Sequence, residues 1–140
     1  MIDFRLSRFL CAFLAAFCVV FADDNFLGAK CEKFNHSDIE TGYAFSYACF
    51  YAHHRAIEAY KSFRNEILSQ YPNDDGYKNL RVELIAGENT LDRITEKLTI
   101  GYYWKSEKEL SVNIEYDDKV AAFDFVQSDR GTKLNYYLYR

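Results

Sequence analysis

Leu98-Thr99-Ile100-Gly101-Tyr102-Tyr103-Trp104 and Leu110-Ser111-Val112-Asn113-Ile114-Glu115-Tyr116 carry the pattern on which the fold turns. Large apolar or aromatic residues stand at every second position. A period of two sends side chains to alternate faces of a strand, so each stretch reads as a strand with one buried face. Downstream, Ala121, Phe123 and Phe125 and then Leu134, Tyr136 and Leu138 keep the same parity. Asp117-Asp118 and Ser128-Asp129-Arg130-Gly131 stand where hairpin turns are needed. Upstream, Leu80, Val82 and Leu84 alternate with Arg81 and Glu83, which predicts one more strand. Five strands joined by connections too short for crossovers predict a mainly antiparallel sheet.

Toward the N-terminus the period changes. Between Ala52 and Gln70, Ala56, Ile57, Tyr60, Phe63, Ile67 and Leu68 recur at three- and four-residue steps, with His53 on the same stripe. Arg55, Glu58, Ser62, Glu66 and Ser69 fall opposite, so the segment predicts an amphipathic helix. Tyr71-Pro72-Asn73-Asp74-Asp75-Gly76 ends it with concentrated turn chemistry. Ser37-Asp38-Ile39-Glu40 has the spacing of a capping box and predicts an earlier helical segment, with Gly42 as its weak point. The fold class expected is α+β: a helical first half packed on a curled, mainly antiparallel sheet of about five strands.

Residues 1–22 read as a secretory signal. Arg5 and Arg8 precede the apolar run Phe9–Phe21, and Ala22 is a small residue at its end. As a helix the run spans only about 20 Å, short of a bilayer core of about 30 Å. Residues 23–140 are then expected to form a single secreted domain without membrane association, as a monomer. Removal of the signal takes Arg5, Arg8 and Asp3 from the totals of 17 Lys+Arg and 21 Asp+Glu, leaving 15 against 20, a net of −5. That balance disfavours a general polyanion binder. Cys11 and Cys18 leave with the signal. Cys31 and Cys49 remain, and in an oxidising compartment they have one intramolecular pairing available. Cys49 with His53 and His54 lacks a fourth ligand, so neither a metal nor a cofactor is expected. Asn35-His36-Ser37 is a glycosylation sequon, which makes Asn35 a candidate glycan site.

Several short motifs together resemble a known family. Ala29-Lys30-Cys31 comes soon after the cleavage point, and Phe34 and Ser37-Asp38-Ile39 follow. Tyr71-Pro72 lies between helix and sheet, and Lys119-Val120-Ala121-Ala122-Phe123 precedes Asp129-Arg130-Gly131. The order is similar to that of the small guanyl-specific fungal ribonucleases. More closely, it resembles the RNase-like effectors secreted by powdery mildew fungi, which keep that fold and mostly lack the catalysis. Two features depart from the pattern. Ala29 stands where the effectors have an aromatic, a motif that Tyr47-Ala48-Cys49 fits better, and no cysteine lies near the C-terminus. The resemblance implies a virulence protein that binds a host protein or host RNA, with delivery into host cells.

RNA cleavage of the guanyl type needs a base, an acid and a cation for the phosphate. The family carries these as a Glu, histidines and an Arg on the sheet. Here Asn73 occupies the position of one expected His, and Leu134-Asn135-Tyr136-Tyr137-Leu138 stands where the other would be. Lys119-Val120-Ala121 opens the strand expected to bear the Arg. His36, His53 and His54 all precede the sheet, and Glu83 and Glu96 have no acid partner. No catalytic residue is therefore assigned, and a pseudoenzyme is expected. The alternatives are an active ribonuclease with rearranged residues and an unrelated cystatin-like inhibitor, although the Gln-x-Val-x-Gly hairpin of cystatins is absent. Tyr103, Tyr137 and Tyr139 share the parity opposite the core and form the candidate binding surface, suited to stacking bases or burying a protein partner.

Overall fold

The computed structural model describes residues 31–34 and 43–139, and of residues 33, 34, 43–46, 138 and 139 the backbone alone. The expected signal segment (residues 1–22), Asn35, His36 and the expected helix start at Ser37–Glu40 lie outside the described residues. Two strands come first, β1 (Cys31–Phe34) and β2 (Tyr43–Ala52), followed by helix α1 (Ala56–Gln70) and a short helix α2 (Asp75–Lys78). Five more strands follow: β3 (Thr90–Arg93), β4 (Leu98–Ser106), β5 (Glu109–Tyr116), β6 (Lys119–Ser128) and β7 (Gly131–Tyr139).

All seven strands form one sheet in the order β1-β2-β7-β6-β5-β4-β3, with every neighbouring pair antiparallel. From β3 onward the chain meanders, and β7 returns beside β2. The sheet is open, with β1 and β3 at its edges, and it is not strongly curled. The expected five-stranded curled sheet is corrected on both counts.

The helical first half is corrected too. β2 places Tyr47, Cys49 and Tyr51 inward and alternates them with Ala48, Phe50 and Ala52, which is strand periodicity. It pairs with β7 at nine residue positions. His53 lies in a turn with φ 61 and is exposed, so it is not on the apolar stripe. That left-handed turn is what delays α1 to Ala56. The free N–H groups at the helix start are met from two directions. Glu58 accepts from Arg55 N at 2.8 Å, and Gln127 of β6 accepts from Ala56 N at 2.9 Å.

Leu80–Leu84 is not a strand. Leu80 and Leu84 are buried, while Val82 is 61% exposed. Side chains, not a ladder, hold this segment. The Tyr60 hydroxyl donates to Arg81 O (2.6 Å), Arg64 Nε to Leu80 O (3.0 Å), and Arg81 N to the Tyr102 hydroxyl (2.8 Å). Arg81 also forms a bidentate pair with Asp92 of β3, both bonds at 2.7 Å.

One face of α1 supplies the core. Ala59, Tyr60, Phe63 and Ile67 are fully buried, and the Phe63 ring lies 4.7 Å from Phe123 and 5.6 Å from Phe125. A second aromatic layer runs across three strands, with Tyr136 stacked between Tyr47 (5.7 Å) and Phe123 (4.6 Å). The disulfide joins Cys31 to Cys49, which oppose each other across the β1–β2 ladder. Among the described residues no helix is long and apolar enough to cross a membrane.

Candidate functional site

α1 covers one face of the sheet, and the strand register sets what stands on the other. Tyr103, Ser111, Asp124, Asn135 and Ala48 form one row across β4, β5, β6, β7 and β2. Gly101, Asn113, Ala122 and Tyr137 form the next. Ser111 Oγ donates to Asp124 Oδ1 at 2.7 Å. The Tyr103 ring folds over Gly101, where an added Cβ would meet the ring and its hydroxyl at 2.5 Å. Tyr103 thereby crosses into the row of Tyr137, with only Asn113 and Ala122 between them. Three strand spacings separate the two tyrosines, about 14 Å. The result is a shallow saddle with an aromatic at each end and a floor of small polar and apolar groups.

Tyr103 is 42% exposed and Tyr137 is half-buried, whereas their sequence neighbours Tyr102 and Tyr136 are in the core. Tyr139 ends β7, and its side chain lies outside the described residues. Around the saddle, Phe50 and Val126 are exposed on either side of Lys133. Among the described residues the strand charges on this face are Arg93, Lys105 and Lys133 against Glu32, Glu109, Glu115 and Asp124, three against four.

The residues weighed for RNA chemistry are not brought together. His53 and His54 occupy the β2–α1 turn at one end of the sheet. His54 Nδ1 donates to Ala52 O at 2.7 Å, and His53 N donates to Arg130 O at 2.9 Å. Asn73 is exposed in the turn between α1 and α2. Glu83 pairs with Lys61 at 3.1 Å, and Glu96 lies in the β3–β4 turn. Cys49 is bonded to Cys31 and offers no thiol. Among the described residues no group of three or more His, Cys, Asp or Glu is placed to hold a metal. The Tyr51 hydroxyl donates to Glu66 at 3.1 Å. Burial, and then the Glu66 carboxylate, raise that phenol far above its ordinary value, so it stays protonated.

A second concavity lies on the helix side, where the short helix meets the end of the sheet. It is a cleft of about 280 Å³ lined by Asp74, Gly76, Tyr77, Ile114, Tyr116, Lys119, Ala121 and Tyr136. The turn after Tyr71-Pro72 builds one wall. Asp74 caps α2 by accepting from Tyr77 N at 2.9 Å, and the Tyr77 hydroxyl is hydrogen-bonded to Tyr136. Burial, then the Tyr136 hydroxyl, push the Tyr77 phenol well above its ordinary value. The sequence reading missed this cleft. Its residues come from four elements and share no local motif; the only signal was the Asp-Asp-Gly run that starts α2.

No protein family, curated protein or solved structure matches the chain.

Proposed function

We propose that this chain is a secreted, non-catalytic RNase-like effector that acts by binding a host protein on the face of its sheet opposite α1. The observation that carries the reading is the Tyr103–Tyr137 saddle, an aromatic-ended surface on a seven-stranded sheet, with Tyr103 exposed and Tyr137 half-buried. Aromatic anchors on rigid elements lose little conformational entropy on binding and dominate protein interfaces. The face carries no basic excess, which opposes a polyphosphate and suits a protein partner. The separation of both described histidines from this face supports a binding role over RNA cleavage.

The test measures the mature domain against guanosine-containing oligonucleotides beside an active fungal ribonuclease, and against host extract by cross-linking. The expected result is no turnover, no salt-sensitive RNA binding, and a cross-linked host protein lost in Tyr103→Ala and Tyr137→Ala. Turnover abolished by His53→Ala or His54→Ala would make the domain an enzyme. RNA binding that weakens steeply with salt would assign the face to nucleic acid instead.

A further inference from the structure

We propose that the cleft between α2 and the sheet end is a binding site for a small planar aromatic acid that also carries an N–H or O–H donor. The lining sets the chemistry. Gly76, Ile114 and Ala121 make an apolar floor, and Tyr77, Tyr116 and Tyr136 supply aromatic walls. Both faces of the Tyr136 ring are already covered, by Tyr47 and by Phe123, so it turns an edge toward the cleft. Aromatic edges are electropositive and favour the π face of a second ring or a carboxylate. Tyr116 is 43% exposed and leaves its ring free to lie against a flat ligand.

Two charged groups fix the polarity. Lys119 is exposed and makes no ion pair among the described residues, so its ammonium offers three donors to an anion. Asp74 already accepts from Tyr77 N, yet a carboxylate accepts at about four sites, and the rest can take a ligand N–H or O–H. A ligand with an acid at one edge and a donor at the other satisfies both. The volume, about 280 Å³, is at the small end of ligand pockets and suits one or two fused rings. The site is on the opposite side of the sheet from the saddle and does not depend on the proposed partner.

Indole-3-carboxylate is the probe, with indole lacking the acid and 1-naphthoate lacking the donor as controls. Binding to the domain is followed by amide chemical shifts in NMR. Shifts at millimolar probe should concentrate at Gly76, Lys119 and Ala121. Lys119→Met should weaken the probe by roughly tenfold or more, the loss of one charge-assisted contact. Indole should bind correspondingly weakly to the unaltered domain. Tyr116→Ala, an exposed change that leaves the core intact, should weaken all three compounds. The proposal is overturned if the probe causes no shifts, if the shifts centre elsewhere, or if indole and Lys119→Met show no loss.

Discussion

Replacing Gly131 by alanine should destabilise the protein far more than the same change at Gly87, although both glycines have positive φ. Gly87 has φ 87, and an added Cβ would meet only Glu107 Cγ at 3.9 Å. Its cost is backbone strain alone, about 1–2 kcal/mol. Gly131 has φ 152 and opens β7 where the β6–β7 hairpin packs on the β2–α1 turn. There the added Cβ would run into Tyr51 O, with His53 N at 2.9 Å and Ala52 Cα at 3.0 Å. These are backbone atoms of a central strand and its turn, so no side chain can give way. Overpacking of this kind adds about 1–3 kcal/mol, and displacing the turn weakens the His53 N to Arg130 O bond, about 1 kcal/mol more. Gly131→Ala should therefore lose about 3–6 kcal/mol against about 1–2 for Gly87→Ala. Urea unfolding of the two variants, followed by far-UV dichroism, reads the difference directly. Equal losses, or a smaller loss at Gly131, would refute the claim that the hairpin tip is locked onto the β2–α1 turn.

The disulfide closes a loop of sequence separation 18, and removing it with Cys31→Ala, Cys49→Ala or a reductant should cost about 3 kcal/mol on the chain-entropy account. Urea titrations with and without reductant check this, and an unchanged midpoint would mean that β1 holds without its cross-link. The Arg81 hydrogen bonds hold the Asp92 carboxyl below its ordinary value. A depressed folded-state pKa stabilises above the unfolded value of about 4, and the effect is lost as pH falls through the folded one. Asp92→Asn should thus cost about 1 kcal/mol at pH 7, and the gap from the unaltered protein should close in strong acid. A gap that is constant with pH would assign the loss to packing.

The fold was legible where burial is one-sided and local. Along β4–β7 one parity of each strand is buried toward α1 and the other is less buried, so the period of two in the sequence is the period of the environment. That parity separates Tyr102 from Tyr103 and Tyr136 from Tyr137 correctly. It failed where another signal overrode it. In β2 the Tyr-Ala-Cys-Phe-Tyr alternation was present, but the upstream capping-box spacing suggested a helix, and only pairing with β7 decides the matter. At 80–84 the opposite occurred: alternation without a ladder, because Tyr60, Arg64 and Tyr102 anchor the backbone from outside the segment. β3, with Leu91 its only large apolar residue, exists through its pairing with β4.

The same distinction governs the two candidate sites. The saddle is periodic and therefore visible: Tyr103 and Tyr137 share a parity, and only the fold of the Tyr103 ring over Gly101 needed coordinates. The cleft is not periodic at all. Lys119, Tyr116, Tyr77 and Tyr136 lie inward or at the rim of the helix-covered side, a side that parity assigns to the core. They enclose a cavity because α1 ends at Gln70, before the sheet does, and a four-residue helix is too short to cover what remains. A sheet wider than its covering helix must leave apolar surface to be covered by something else, since exposed apolar area costs about 25 cal/mol per Å². At the β3 side the 80–89 segment and its buried Leu80 and Leu84 supply that cover. At the β5–β6 turn α2 supplies it only in part, and what it leaves is a pocket with aromatic walls and a cation at its mouth.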